Sequence, residues 1–306
     1  MDDVLRTAQA EVRKAVIGHD DAVESMLIAV LSRGHMLLEG PPGSAKTLLA
    51  RAIARLIGGH FRRVQMTVDT QPVEITGDSV VSGGQDVFRK GPIFTNVFLA
   101  DEINRAAAHT QAALLEAMQE RHVTSAGKTH WIESPFTVIA TQNPYEHQGV
   151  FPLPESQLDR FIVKVPVGYP NAQHELEVLE LPHRGTTTEV IGEVNPILAS
   201  GALLQEQERA DAVPVPTEIA KKIVDMVQYT RTASGVEMGA SARAGVHLYA
   251  ASKSRAYLHD NVAVTEDDVR AVAPLVLPHR MWAEDPAALV QDALRYAFGH
   301  TEAFTR

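Results

Sequence analysis

The chain has 306 residues, of which 45% are hydrophobic and 22% charged, and its formal net charge is −10. Such a length and composition are ordinary for a globular protein with a sizeable core and two domains. The acidic balance argues against non-specific binding of nucleic acid, although Arg62-Arg63 and Arg89-Lys90 could form a small basic patch. Cysteine is absent, which excludes disulfide bonds and thiolate zinc sites.

Nothing in the sequence indicates a membrane segment. No apolar run approaches the roughly 20 residues of a membrane-spanning helix, and residues 1–6 lack the basic-then-apolar order of a signal peptide. We therefore expect a cytoplasmic protein that does not insert into membranes. The 13 histidines are scattered and form no His-Glu-x-x-His motif, so we expect no transition-metal site.

The first part of the chain alternates strand-like and helix-like segments. Short apolar runs predict strands at His35–Glu39, Arg63–Thr67, Asn96–Ala100, Phe136–Thr141 and Phe161–Val165. Helical periodicity predicts helices at Asp21–Ser32, Thr47–Ile57 and Thr110–Glu120. Such alternation is typical of a parallel sheet flanked by helices, so we expect an α/β domain over residues 1–175.

The strand signal fades after Tyr169-Pro170. The pattern then predicts helices at Ala172–Glu180, Thr217–Thr230, Ala242–Tyr257 and Thr265–Ala273. The segments Gly185–Thr188 and Val213–Thr217 are typical of connectors. We therefore expect a smaller all-helical domain, with its connector, over residues 176–306.

A Gly/Pro-rich turn lies between the first predicted strand and the helix that follows it. The residues of this turn and of the helix start are Gly40, Pro41, Pro42, Gly43, Ser44, Ala45, Lys46, Thr47 and Leu48. Backbone amides in such a turn converge on an anion. Lys46 adds a charge for the β- and γ-phosphates, and the Thr47 hydroxyl can join a Mg²⁺ shell. The pattern predicts a nucleoside triphosphate site, and an ordinary turn before a helix is the alternative.

Ala45 departs from the usual phosphate-loop pattern, which has glycine immediately before the lysine. A Cβ is tolerated best at helix-like φ, so we predict a negative φ at Ala45. A positive φ there would weaken the phosphate-loop interpretation.

Two further predicted strands end in polar residues. The strand Asn96–Ala100 runs into Asp101 and Glu102, which places both carboxylates at the sheet edge where ligands of open α/β folds bind. Asp101 would help to hold Mg²⁺, and Glu102 would polarise the attacking water, a role worth about 10²–10⁴ in rate. Asn143 follows the strand Phe136–Thr141 and could bind the attacking water or the γ-phosphate, or simply cap the turn before Pro144.

Together these segments resemble the AAA+ ATPases, and within them the MoxR family. The resemblance is close over about residues 10–175 and looser to about residue 280. The segments that carry it are Gly40–Thr47, Ala100–Ala106, Thr110-Gln111, Leu114–Glu120, Ala140–Pro144, Pro152–Phe161 and Gly239–Ala244. Departures from the family pattern stand at Ala45, Ala107-Ala108 and Ala242.

The resemblance implies a role for each matching position. Lys46 and Thr47 match the phosphate-loop lysine and the magnesium ligand. Asp101 and Glu102 match the acidic pair, and Asn143 matches the first sensor.

Four more residues match the family outside these strands. Ile17-Gly18 matches the segment that packs near the adenine, and Arg243 matches the second sensor on a lid helix. Arg160 matches the arginine finger, which would reach the γ-phosphate held by a neighbouring subunit. A guanidinium there stabilises the charge of the transition state, by about 10³–10⁵ in rate. The resemblance therefore implies a ring, expected to be a hexamer; the alternative for Arg160 is an ion pair with Asp159 or a neighbour.

The function that the resemblance implies is Mg-ATP hydrolysis coupled to remodelling, activation or maturation of a client protein. Cofactor or metal insertion is one form of this, and a von Willebrand factor A-domain protein is an expected partner. Three alternatives remain open: a nucleotide-gated scaffold with slow hydrolysis, a magnesium chelatase subunit and a DNA motor.

Two segments resemble the hairpins that line the pore of related ATPases. They are Thr76–Pro92 and Val123–Pro135. Phe88 and Trp131 would be the client contacts if these hairpins line a pore, and ordinary hairpins packed on their own domain are an equal alternative.

Overall fold

The computed structural model of the chain describes residues 4–82, 85–146, 149–180, 190–198 and 200–299. The helices are α1 Val4–Arg13, α2 Asp20–Leu31, α3 Lys46–Leu56, α4 Pro72–Thr76, α5 Ala108–Glu120, α6 Glu155–Leu158, α7 Ala172–Glu180, α8 Ser200–Ala212, α9 Thr217–Thr232, α10 Ala242–Leu258, α11 Glu266–Val276 and α12 Pro286–Phe298. The strands are β1 Met36–Glu39, β2 Phe61–Gln65, β3 Gly77–Ser82, β4 Gln85–Lys90, β5 Val97–Asp101, β6 His122–Ser125, β7 Lys128–Trp131, β8 Thr137–Gln142, β9 Val163–Pro166, β10 Val236–Met238 and β11 Trp282–Ala283. Short 3-10 helices span Ile103–Arg105 and Pro278–Arg280.

The central sheet contains the five strands that the sequence predicts. Its order is β2-β5-β8-β1-β9, and every neighbouring pair is parallel. Side chains of β5 and β8 are buried almost throughout, because helices cover both faces of a parallel sheet. The predicted α/β architecture is therefore confirmed.

The sheet separates two apolar layers. One layer joins Leu38, Leu49 and Ile139 to α1, α2 and the helical C-terminal part. The other joins Leu37 and Phe98 to α5 and the hairpins. Because alternate residues of a strand face opposite ways, a single strand such as β1 contributes to both layers.

Both predicted hairpins are present as antiparallel pairs, β3 with β4 and β6 with β7. They pack on each other, since the ring of Phe88 stacks on that of His130 with centroids 3.8 Å apart. Phe88 is half-buried in this contact, whereas Trp131 is 67% exposed. Of the two residues named from the sequence, Trp131 is the one with a free surface.

The region after β9 is helical, as predicted, with a small β10–β11 pair added. The predicted break at Val213–Thr217 lies between α8 and α9. The predicted connector Gly185–Thr188 lies outside the described residues. Among the described helices, none has both the length and the apolar character needed to cross a bilayer.

Candidate nucleotide site

The turn after β1 folds around the side chain of Lys46. The ammonium group donates hydrogen bonds of 2.7 Å to the carbonyl oxygens of both Gly40 and Pro41. A Cβ on Gly40 would lie 2.0 Å from the carbonyl oxygen of Val167, so this close approach requires glycine. Burial lowers the pKa of Lys46, and the nearby Asp101 carboxylate opposes that effect.

Ala45 has φ of 63° and ψ of 13°, so the predicted negative φ is wrong. The prediction treated Ala45 as a helical residue, but α3 begins one residue later and Ala45 is its N-cap. Its carbonyl accepts the first bond of the helix, from the Leu49 amide at 2.8 Å. A left-handed alanine costs about 1–2 kcal/mol. The turn nevertheless borders a cavity and wraps around Lys46, as a phosphate loop does.

Asp101, at the carboxyl end of β5, is held by hydrogen bonds from three other elements. The Thr47 hydroxyl at the start of α3 donates to Oδ2 at 3.0 Å. The Thr141 hydroxyl on β8 donates to Oδ1 at 2.6 Å. Arg63 on β2 donates to Oδ2 through Nε at 2.9 Å, and its Nη2 lies 2.7 Å from the same oxygen. The adjacent oxygens of Thr47 and Asp101 form the kind of donor set that Mg²⁺ prefers, so these residues fit that ion.

The sequence analysis did not name Thr141, and it grouped Arg63 with Arg62 in a basic patch. Neighbouring residues of a strand point to opposite faces, so Arg62 and Arg63 do not form one basic patch. The Arg63 side chain lines the cavity that contains Lys46 and Asp101, whereas Arg62 does not line it; both side chains are exposed to solvent. The alternation of side chains along a strand was a readable signal, because it places Arg63 on the opposite face from Arg62. The pairing of Arg63 with Asp101 had no local signal, because Asp101 lies on the neighbouring strand.

Glu102 has φ of 59° and ψ of 52°, a left-handed conformation that is rare for residues other than glycine. Its amide donates to the Thr141 hydroxyl at 2.8 Å, which helps to hold this backbone. Its carboxylate pairs with Arg105 at 2.7 Å, and Arg105 also pairs with Glu146. Backbone strain of this kind costs about 1–3 kcal/mol and clusters at functional sites.

Asn143 follows β8 and lines the same cavity. Its side-chain oxygen accepts a hydrogen bond from the Tyr145 amide at 3.1 Å. The side chain of Asn143 therefore caps the turn that leads to Tyr145, and the residue also lines the cavity. A capping role is thus compatible with a role in binding the attacking water or the γ-phosphate.

The cavity between these elements has a volume of about 510 Å³. The described residues that line it are Ala15, Val16, Ile17, His19, Pro42, Gly43, Ser44, Ala45, Lys46, Thr47, Leu48, Arg63, Gln65, Asp101, Glu102, Thr141, Asn143, Pro170 and Val178. Its lining combines apolar side chains around Ile17 with the charged groups near Lys46, as expected for a ligand with a flat base and a phosphate chain. Gly18 lies in an adjacent cavity, close to His174.

Arg160 and Arg243 do not lie in this cavity. Both line a second cavity on another face of the protein. The Nη1 of Arg160 donates to the Leu115 carbonyl at 2.6 Å. In the described part of the chain, Asp159 pairs with Arg243 at 3.3 Å and with Arg280 at 2.7 Å, not with Arg160.

The helix that carries Arg243 has a defined start despite the departure at Ala242. Ser241 is its N-cap, and its hydroxyl accepts a hydrogen bond from the Ala244 amide at 3.2 Å. Sequence reasoning also missed Arg280, whose fully buried guanidinium donates to the carbonyl of Phe161 and to Asp159. Arg280 thus ties the helical region to the segment that bears Arg160.

Comparison with known proteins identifies the family. A model of the ATPase family associated with various cellular activities (AAA) matches residues 35–163, and an AAA lid domain model matches residues 228–294. The chain is 44% identical over 288 residues to a protein named chaperone MoxR1 from Mycobacterium tuberculosis, an alignment that covers 90% of this chain and 75% of the relative. The chain belongs to the MoxR family of AAA+ ATPases.

Other relatives agree with this assignment. The chain is 41% identical over 280 residues to the uncharacterized protein YeaC of Bacillus subtilis, covering 91% of this chain and 87% of that one. It also resembles the crystal structure of a candidate ATPase from Cytophaga hutchinsonii, with a TM-score of 0.87 and 33% identity over 96% of this chain and 94% of the other. The protein is therefore an ATPase with an α/β core and a helical lid, as the resemblance implied.

Proposed function

We propose that this MoxR-family ATPase binds Mg-ATP in the 510 Å³ cavity and hydrolyses it within a ring of identical subunits, in order to remodel or activate a client protein. The observation that carries the proposal is that Lys46, Thr47, Asp101 and Glu102 line one cavity at the carboxyl edge of the sheet. These four residues come from two segments that are far apart in sequence. Each has a chemical type that triphosphate hydrolysis requires.

The residues of the cavity divide the chemistry between them. Lys46 and the amides of the phosphate loop would bind the β- and γ-phosphates. Thr47 and Asp101 would hold Mg²⁺, which supplies charge neutralisation on the phosphates when it is bound. Glu102 would orient and polarise the attacking water, and Asn143 would hold that water or the γ-phosphate.

The apolar part of the cavity would accept the base. Ile17 lines it, and the neighbouring Gly18 shapes the backbone beside it. The adjacent cavity that contains Gly18 is lined by His19 and His174 as well. We assign residues 1–175 to the nucleotide domain and residues 176–306 to the lid with its connector. That boundary falls inside α7, Ala172–Glu180, so α7 belongs to the transition between the two.

The position of Arg160 supports a ring. A finger that assists hydrolysis must contact the γ-phosphate, yet Arg160 lies outside the cavity that contains Lys46. Arg160 would instead act on the nucleotide of a neighbouring subunit, and Arg243, which lines the same second cavity, would do so with it. Such sharing makes hydrolysis depend on assembly, and we propose a hexamer.

A chaperone-like role is supported by the relative named chaperone MoxR1. Trp131 on the β6–β7 hairpin offers an exposed apolar surface for a client. Insertion of a cofactor or metal into the client and a von Willebrand factor A-domain partner belong to this proposal. A nucleotide-gated scaffold and a chelatase-type motor are second candidates, whereas a DNA motor loses support because Arg63 is paired with Asp101.

The proposal is tested by measuring ATP turnover per subunit over a range of protein concentrations. A shared site gives turnover that rises steeply as subunits assemble, whereas a site complete within one chain gives constant turnover per subunit. Clients are sought by affinity capture with Glu102→Gln in excess ATP, with Lys46→Ala as the matched control that cannot bind ATP. Constant turnover, together with no protein captured specifically by Glu102→Gln, would contradict the proposal.

A further inference from the structure

Four arginines line one open cavity on the face that bears Arg160. They are Arg33, Arg121, Arg160 and Arg243, and the cavity has a volume of about 300 Å³. None of the described residues that line this arginine groove is acidic. In a chain with a net charge of −10, such a concentration of positive charge is a local exception that points to an anionic ligand.

Two of these arginines, Arg121 and Arg160, lack a countercharge, whereas the other two are paired. Arg33 pairs with Asp211, and Arg243 pairs with Asp159. Among the described residues, no carboxylate lies within ion-pair distance of Arg160 or Arg121. Both are held by neutral acceptors instead: Arg160 donates to the Leu115 carbonyl, and Arg121 donates through Nη2 to the Arg33 carbonyl at 2.9 Å.

Arg121 is fixed by the fold at the edge of the groove. It ends α5 in a left-handed conformation with φ of 55°, and its amide donates to the Ala117 carbonyl at 3.0 Å. Its own carbonyl accepts from the Ile132 amide at 2.9 Å, at the base of the β6–β7 hairpin. Burial lowers the pKa of Arg121, and the nearby Arg33 lowers it further. A guanidinium stays charged under these conditions, so the groove holds a half-buried cation without an anion.

The histidines beside the groove add no charge to it at neutral pH. Burial lowers the pKa of His35 to about 4, and burial together with Arg280 and Arg243 lowers the pKa of His247 to about 3. The charge of the groove therefore comes from its arginines alone.

We infer that the arginine groove receives the triphosphate held by a second copy of the chain, and that Arg121 contacts the γ-phosphate there together with Arg160. This inference rests on the proposed function and adds a residue to its site. The groove offers arginine side chains, whereas the phosphate loop of the other copy offers backbone amides and Lys46, so the two could contact one triphosphate from different sides. The charge complementarity comes from the phosphates, because Asp101 and Glu102 are already paired with Arg63 and Arg105 of their own chain.

The contact made by Arg121 would also affect the β6–β7 hairpin. The residue stands where α5 ends and the β6–β7 hairpin begins. A contact that exists only while the neighbour holds a γ-phosphate would therefore restrain the base of the hairpin before hydrolysis and release it afterwards. The hairpin carries the exposed Trp131, the candidate client contact.

The test compares Arg121→Gln, which removes the charge, with Arg121→Lys, which keeps it. Arg62→Gln is the matched control, because Arg62 is an exposed arginine outside the groove. Each change is made in the Glu102→Gln background, so that ATP stays bound. Nucleotide binding is measured with a fluorescent ATP analogue, and ATP-dependent self-association is measured by sedimentation velocity.

Arg121→Gln should leave nucleotide affinity within about three-fold and raise the protein concentration needed for assembly by about 10- to 100-fold, the value of a charge-assisted hydrogen bond. Arg121→Lys should assemble better than Arg121→Gln, and Arg62→Gln should behave as the parent does. Assembly of Arg121→Gln at the parent's concentration would overturn the inference. So would equal loss in the Lys and Gln variants, because that result indicates a structural role.

Mixed assemblies separate this inference from the proposed function. Subunits with Arg121→Gln are mixed with subunits with Glu102→Gln, and Arg160→Gln subunits are mixed in the same way. Turnover restored in both mixtures supports both statements, since each partner supplies what the other lacks. Turnover restored for Arg160→Gln but not for Arg121→Gln overturns only the inference. Restoration in neither, while mixed assemblies demonstrably form, overturns the shared site of the proposed function.

Discussion

The hydroxyl of Thr47 lies 3.0 Å from Oδ2 of Asp101, although 54 positions separate the two residues in the sequence. The same carboxylate oxygen also accepts hydrogen bonds from the guanidinium of Arg63. A Mg²⁺ ion held by Thr47 and Asp101, as proposed above, would therefore compete with the guanidinium of Arg63 for this carboxylate. In that case Arg63 would lower the affinity for the metal, an effect that the phosphate-loop pattern does not include.

Arg63→Gln should lower the Mg²⁺ concentration that half-saturates ATP binding by about five-fold. The side chain of Arg63 is 41% exposed, and a partly exposed ion pair contributes up to about 1 kcal/mol. The effect is measured by titrating Mg²⁺ at a fixed ATP concentration and recording ATP binding by isothermal calorimetry. Arg62→Gln is the control on the same strand. A higher Mg²⁺ requirement in Arg63→Gln would show that the arginine assists the bound state instead.

Glu102→Gln should bind ATP as the parent does and hydrolyse it about 10²–10⁴ times more slowly, because the amide cannot polarise water. Phosphate release under multiple-turnover conditions measures the rate, and calorimetry measures the affinity. The charge-preserving Glu102→Asp variant tests position, since a shorter carboxylate keeps the charge but not the reach. Turnover that is unchanged in Glu102→Gln would remove this residue from the role of activating water.

The sequence predicts the central sheet well for a physical reason. Strands of a buried parallel sheet are continuous apolar runs, and the five predictions lie within two residues of β1, β2, β5, β8 and β9. The positions of Asp101 and Glu102 at the carboxyl end of β5 also follow from the strand prediction, because ligands of open α/β folds bind at that edge of the sheet.

Five of the described helices were missed. Two of them, α4 and α6, are only five and four residues long. Of the three longer ones, two had readable signals. In α1 the buried Leu5, Ala8 and Val12 follow helical spacing, and before α12 Asp285 caps the Ala288 amide ahead of a proline in the first turn. α8 had little signal, because one of its buried residues is Gln207, which donates to the Val30 carbonyl. Contacts of this kind depend on distant residues that no local pattern contains.

Ala45→Gly should raise the free energy of unfolding by about 0.5–1 kcal/mol, because glycine adopts a φ of 63° without the cost that alanine bears. Urea unfolding measures the change. The control is Ala52→Gly in the buried middle of α3, which should lower stability by about 1 kcal/mol or more. If both substitutions destabilise by similar amounts, packing of the Ala45 methyl group outweighs its backbone strain. ATP affinity should be retained in Ala45→Gly, since the loop keeps its conformation.

His35 should make stability fall as the pH drops below about 6.5. Its Nδ1 accepts from the Val138 amide at 2.9 Å, so the neutral ring carries its proton on Nε2, which donates to the Met118 carbonyl at 3.1 Å. Burial lowers the pKa of His35 to about 4 in the folded protein. Between pH 6.5 and 4 the unfolded chain binds a proton that the folded chain does not, which lowers stability by about 1.4 kcal/mol per pH unit.

The half-buried His247 and the buried His279 add to this slope in the same direction, since their pKa values are lowered as well. Urea unfolding at pH 7, 6 and 5 measures the total slope. His35→Gln removes one titrating group, so its stability at pH 7 should be lower but its slope below pH 6.5 shallower than that of the parent. Parallel slopes for the two proteins would show that His35 does not hold its neutral form in the folded state. The substitution His109→Gln, at an exposed position, is the matched control for removal of an imidazole.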